Sequence, residues 1–359
     1  MREIGHQIHG VSPVKKALRG LRGFRRLVRG RAVILMYHRI TAAEADPYNL
    51  RVTPERFTKH LEMIREIGRP MRLAELVQSI REHKLPDRVV CVTFDDGYAD
   101  NLHTAKELLE RYDVPATVFV TTGPEGRSRE FWWDALERVF LQPGELPDRL
   151  RLNLCDRQFE WDLGDSVRFS KEDVEHHLAW KMPDPDGNRP QSYPTERHRI
   201  LFKIYRILRE LNRTERYRII DNLLELAGLD SEPRTTHRAL TLDEVADLEG
   251  GGLVEVGAHT VNHLVLSKLS AEIQIEQIRR NKADLESCVG HPLKSFAYPH
   301  GLYSEASVAV VRQAGFEHAC AVSFRAVRWS SDIFTLPRVA VFDLNTANFG
   351  QCLRNLLRI

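Results

Sequence analysis

The chain has 359 residues, 42% apolar and 28% charged, with 21 Gly, 17 Pro and a formal net charge of +2. That composition fits a globular protein of about two domains, or one domain with a large insertion, and excludes a disordered or collagen-like chain. No apolar run approaches the ~20 residues that span a bilayer.

The charge is uneven. Residues 1–31 hold nine Lys/Arg and one acid, Glu3, leaving 43 basic and 49 acidic side chains elsewhere, a net of −6. A mildly acidic body argues against a general nucleic-acid-binding surface. Five Cys, at 91, 155, 288, 320 and 352, form no CxxC pair. An odd, scattered set suits a reducing compartment, so the expected location is cytoplasmic.

Residues 1–30 read as a basic arm. Within Lys15–Arg31, Leu18, Leu21 and Val28 recur at helical spacing between arginines, a pattern that can lie on the inner face of an anionic membrane or pack on its own domain. Val33–Tyr37 reads as a short buried strand. Residues 54–67 read as a helix with Pro54 in its first turn, Thr53 as cap, and Phe57, Leu61 and Ile64 on one face. A helix over 72–83 follows, then Val89–Phe94, a continuous apolar run expected to be buried on both faces. A helix over 102–112, capped by Asp100 or Asn101, leads to the strand Ala116–Thr121. This alternation indicates an α/β fold with a parallel sheet.

The pattern breaks over 125–235, which contains Trp132, Trp133, Trp161 and a helical block at about 197–228 with Ile200, Ile204, Leu208 and Leu211 in phase. It reads as a mainly helical insertion. The α/β pattern resumes with a helix at Leu242–Leu248, strands at Val254–Gly257, Ser295–Tyr298, Ala319–Val322 and Thr335–Phe342, and helices over 270–288 and 304–314. The expected architecture is a distorted (β/α) barrel of about seven strands, formed by 31–124 and 236–359.

Two short stretches carry the chemistry. Thr93–Asn101 (TFDDGYADN) sets the adjacent carboxylates Asp95 and Asp96 at the end of an apolar strand, where ligands bind in α/β folds. Neighbouring carboxylates repel unless a cation or proton relieves them, although an Asp-Asp-Gly turn with one Asp as a helix cap would look the same. His259-Thr-Val-Asn-His263 follows another strand; a helical turn would set both imidazoles on one face, where they could share a metal. One Asp and two His make an open, catalytic type of metal site.

With FAYPHG (296–301) and LPRV (336–339), these motifs stand in the order found in polysaccharide deacetylases. The sequence resembles these carbohydrate esterase family 4 enzymes, with their NodB homology domain, over about 31–124 and 236–343. The resemblance implies a divalent metal on Asp96, His259 and His263, commonly Zn²⁺, with Co²⁺, Ni²⁺ or Mn²⁺ also compatible. It implies Asp95 as general base, water acidified toward ~7, and a backbone N–H near Tyr298–His300 as oxyanion donor. The products would be acetate and an amine.

Two departures stand out. The family's third motif is commonly Arg-Pro-Pro-Tyr-Gly; here it is Ala297-Tyr298-Pro299-His300-Gly301, so the Arg that orients the base is absent and Arg338 is the candidate replacement. The fifth motif's Leu-x-His is Leu336-Pro337-Arg338, so the general acid falls to His300 or His38. Tyr298, Pro299, Trp132 and Trp133 are candidate sugar contacts, the last two equally suited to packing. The expected substrate is an N-acetylated sugar: nucleotide-linked, lipid-linked or a growing glycan. The same site could open another amide, a formamide or cyclic imide, or belong to a silent carbohydrate-binding relative.

Overall fold

The computed structural model describes residues 30–359 except 43–44, 124–128, 155–156, 186 and 188–191. The arm over 1–29 lies outside the described residues. The barrel strands are β1 (Ala32–Tyr37), β2 (Val89–Phe94), β3 (Ala116–Val120), β4 (Val254–Ala258), β5 (Ser295–Ala297), β6 (His318–Val322) and β7 (Leu336–Ala340).

These strands run parallel in the order β1-β7-β6-β5-β4-β3-β2, and β2 pairs back onto β1 from Ala32↔Val89 to Tyr37↔Phe94, which closes the barrel. Every residue of β1, β2 and β3 is buried. Helices cover the outside and side chains fill the inside, so continuous apolar runs are what this geometry demands. The two-residue strand Arg69–Pro70 lies beside the start of β2.

The helices begin where their caps dictate. The Thr53 hydroxyl accepts from the Arg56 amide at the start of Pro54–Ile67, and Thr241 with Glu244 forms a capping box for Leu242–Leu248. The expected cap at Asp100 or Asn101 is not made. Asp100 instead accepts from the Ile40 amide and from Arg39 Nε, both at 3.0 Å, while Asn101 donates to the His38 carbonyl at 2.8 Å. Both side chains tie the β2 loop to the end of β1, and the helix opens as a π-wound turn, Asn101–Lys106. A C-terminal helix that the sequence reading omits, Thr346–Leu357, packs on Pro54–Ile67, with the Phe349 ring stacked on His60 at 3.9 Å.

The insertion has its own core. Trp132, Leu136, Leu150, Ile200, Leu208 and Leu223 belong to one buried cluster separate from the barrel's. Its helices are Trp132–Leu141, Lys171–His177, Glu196–Leu208 and Arg213–Leu226. It also holds an antiparallel hairpin, Arg149–Leu154 with Arg157–Asp162, which the sequence reading did not anticipate. Leu150 and Leu152 are buried while Arg149 and Arg151 are exposed, a period-2 pattern too short to stand out beside the helical blocks. The chain leaves the insertion along the β2 loop: the Ala99 amide donates to the Arg238 carbonyl at 3.1 Å and the Leu240 amide to the Gly97 carbonyl at 2.9 Å.

Candidate active site

Asp95 and Asp96 follow the last residue of β2. The Asp95 amide donates to the Tyr37 carbonyl at 3.0 Å, continuing the β1–β2 ladder. Asp96 sits at φ +73°, a left-handed conformation rare for a residue with a Cβ. Its carbonyl accepts from both the amide (3.3 Å) and the hydroxyl (3.1 Å) of Thr121, which hold the turn. Gly97 follows at φ +81°, where a Cβ would approach Val120 to 2.9 Å, so this position needs Gly on two counts.

His259 and His263 stand on the loop after β4. The expected helical turn is not there: Thr260 (φ +66°) and His263 (φ +46°) both adopt left-handed conformations. The loop is held from the helix Ala271–Val289 instead. Asn281 accepts from the His259 amide and Gln277 from the Asn262 amide, both at 2.9 Å. The sequence reading passed over these two side chains. Their signal is a polar residue at a position in phase with Ile278 and Leu285, on a face expected to be apolar.

The loops bring the predicted ligands together. His263 Nε2 lies 3.4 Å and His259 Nε2 3.6 Å from Asp96 Oδ1, and ligand atoms of the three residues fall within 4.8 Å of one another. His259 Nδ1 is 2.8 Å from the Ala297 carbonyl. A carbonyl only accepts, so the proton sits on Nδ1 and Nε2 presents its lone pair to the cluster. His259 Nε2 and Asp96 Oδ1 are buried without a hydrogen-bond partner. Two acceptors facing each other unrelieved in the interior are costly unless a cation lies between them, so the donor set fits a divalent metal.

Asp95 is engaged differently. Arg338 Nη1 donates to its Oδ1 at 2.6 Å and Nη2 to its Oδ2 at 2.7 Å, a two-pronged grip, with Nη1 also donating to Thr93 Oγ1 at 3.2 Å. Arg338 is fully buried and stands on β7, two strands round the barrel from β5, which carries the third motif where the family's Arg is expected. Burial alone would raise the Asp95 carboxyl, but the Arg338 charge and its hydrogen bonds outweigh it and hold it below its ordinary value. At Asp96, burial and then the Asp95 charge push the carboxyl well above its ordinary value in the absence of a cation.

The site opens into a cavity of about 200 Å³ whose lining includes His38, Asp95, Asp96, Trp133, His263 and His300. Burial holds both candidate acids down: His38 to about 4, and His300, also facing Arg209 and Arg216, well below its ordinary value. The His300 ring centroid is 4.6 Å from that of His263. Three predicted contacts stand elsewhere. Trp132 is in the insertion core under Arg216, 4.9 Å from its ring centroid. Tyr298 is buried, donating to the Phe334 carbonyl at 3.1 Å, and Pro299 is buried beside it. Both shape the turn that presents His300 and do not line the cavity.

Trp133 faces the cavity edge-on to His263 at 5.1 Å. Its Nε1 donates to the Tyr98 hydroxyl at 2.8 Å, which donates to Asp134 at 2.7 Å. Tyr98 belongs to the carboxylate motif, so the carboxylate loop and the insertion are joined by one hydrogen-bond chain. Tyr48 and Tyr205 also line the cavity, stacked at 5.4 Å, and neither was singled out from the sequence; an isolated Tyr carries no signal until the fold brings it to a site.

The model of the family described as polysaccharide deacetylase matches residues 82–145 and 203–319. The chain belongs to the polysaccharide deacetylase family. It is 34% identical over 142 residues, 38% of its length, to YxkH of Bacillus subtilis (strain 168), whose name assigns it to the polysaccharide deacetylases; the matched stretch spans about half (50%) of that relative. Among solved structures, the deacetylase PplD of Streptococcus pyogenes, in complex with acetate, is similar at a TM-score of 0.55 and 17% identity, over 90% of this chain and 99% of that one. IcaB from Ammonifex degensii is similar at 0.53 and 16%, over 90% and 97%. Identities this low carry the fold alone: a NodB-like barrel.

Proposed function

We propose that this polysaccharide deacetylase is a divalent-metal-dependent hydrolase that removes the N-acetyl group from an N-acetylated sugar. The observation that carries the reading is the division of labour between adjacent carboxylates: Asp96 faces the Nε2 atoms of two imidazoles, while Asp95 is gripped by Arg338. A divalent cation on Asp96, His259 and His263, most simply Zn²⁺, would supply Lewis acidity toward the acetyl carbonyl and acidify water.

Asp95 takes a proton from the attacking water. Arg338 suits it to that role by keeping it ionised and by fixing the orientation of its oxygens. The amide of Tyr298 is spent on the Cys320 carbonyl and Pro299 has none, so the His300 amide is the donor proposed for the developing oxyanion. His300 and His38 are both held neutral by burial, so neither begins as a store of protons. The proton taken by Asp95 is therefore the one that reaches the leaving nitrogen, with His300, which the cavity places beside His263, as the relay. Trp133 offers an apolar face beside the metal residues for the acetyl group or sugar ring.

The test is acetate release from a panel of N-acetyl sugars, together with metal content by elemental analysis. Wild type should bind about one equivalent of metal and release acetate, and His263→Ala should lose both. Equal metal in the two proteins overturns the site. Metal binding with no acetate from any sugar, but turnover of a formamide or cyclic imide, moves the reading to another amide.

A further inference from the structure

At the end of the barrel opposite the site, where β1 and β7 begin, arginines converge. Arg31, Arg325, Arg328 and Arg358 line a cavity of about 550 Å³, and three of them, Arg31, Arg328 and Arg358, line a second of about 220 Å³ walled by Trp329. The carboxylate here, Asp332, is taken by Arg312 at 3.3 Å and by the Phe334 amide at 2.9 Å. Among the described residues Arg325, Arg328 and Arg358 make no ion pair. These three guanidinium groups, gathered without carboxylates of their own, repel one another, and an anion relieves them.

Exposed apolar groups accompany this charge. Trp329 is 43% and Ile359 57% exposed, each next in sequence to one of these arginines. Residues 1–29 join the body at Gly30, which lines the smaller cavity. They carry eight more Lys/Arg and one acid, with Leu, Phe and Val interspersed. The rest of the chain is net acidic, so a cavity lined by four arginines stands out from it.

We propose that this end of the barrel docks on the surface of an anionic phospholipid bilayer. The guanidiniums of Arg325, Arg328 and Arg358 meet headgroup phosphates, and Trp329 and Ile359 enter the interface. The apolar members decide for lipid over nucleic acid: a tryptophan and an isoleucine have a place at a bilayer interface and none along a phosphate backbone. Docking this way leaves the metal cavity, at the far end of the strands, open to the aqueous phase.

The test is co-sedimentation of the full chain with vesicles of phosphatidylcholine alone and with part of it replaced by phosphatidylglycerol. Binding should need the anionic lipid and weaken as salt rises. Replacing Arg325, Arg328 and Arg358 together by Gln should weaken it about 100-fold, the sum for three basic groups near a charged surface. Trp329→Ala should weaken it less, and acetate release from a soluble substrate should not change. Equal binding to both vesicle types, salt-insensitive binding by wild type, or an undiminished triple variant overturns the proposal. So does tighter binding to duplex DNA than to the anionic vesicles. The salt series needs no substitution, so it decides even if the triple variant misfolds.

Discussion

The barrel and the insertion meet at one cavity but contribute by different means. The barrel supplies charge and lone pairs from strand ends: Asp95 and Asp96 after β2, His259 and His263 after β4, and Arg338 within β7. Their positions follow from backbone ladders and from left-handed turns pinned by buried hydrogen bonds, so little can shift without breaking the sheet. The insertion supplies walls. Trp133 and Tyr205 reach the cavity from helices packed around a separate apolar core, joined to the metal loop through Tyr98 and Asp134. The charged candidate residues are thus set by barrel strands and pinned turns, and the cavity wall is set by a separately packed core.

The sharpest way to break that comparison is at Asp95. Asp95→Asn keeps the shape and the metal residues but loses the base, so turnover should fall roughly 10²–10⁴-fold with metal content unchanged; a near-normal kcat would remove Asp95 from the proton path. Next is Trp132→Ala, in the insertion core. Deleting a buried Trp should cost about 3–5 kcal/mol, read as a lower denaturation midpoint, while metal still binds. Loss of the metal with the insertion's stability would show that the two regions do not fold as separately as their cores suggest.

Trp133→Ala tests the wall itself. It should raise KM about 10-fold, the order of one aromatic contact, with metal content intact. The smallest effect is expected at the junction. Burial raises the Asp134 carboxyl to about 7 from an ordinary 3.8, so the fold prefers its neutral form. That preference stabilises fully below the ordinary value and is lost as pH rises through about 7. Between pH 4 and 8 wild type should therefore lose thermal stability relative to Asp134→Asn, which keeps an acceptor for Tyr98 without the charge. Parallel curves would show that Asp134 titrates alike in both states.

How much of this was legible depends on the residue. The strands of the barrel were, because burial on both faces forces continuous apolar runs such as Val89–Phe94. The candidate ligands Asp96, His259 and His263 could be picked out, because Asp-Asp-Gly and His-x₃-His each follow a strand. The hairpin Arg149–Asp162 was not, because each strand presents two alternations at most. Nor was the C-terminal helix, whose inward Phe349 and Leu353 meet a partner almost 300 residues earlier in the chain. Gln277 and Asn281 hold the His263 loop from a helix that read as ordinary, since a buried polar residue looks like an exposed one until its partner is known.

By itself the amino-acid order determined the alternation of strands and helices and the strand-end position of Asp95, Asp96, His259 and His263, because these depend on local periodicity and short spacing; the motifs' resemblance pointed to the family. Only the tertiary structure decided that Arg338 grips Asp95 across the barrel, that Trp133 reaches the cavity while Trp132 does not, and that arginines from both ends of the chain share one face. Each depends on where distant segments meet, and closure of β1 onto both β2 and β7 sets that.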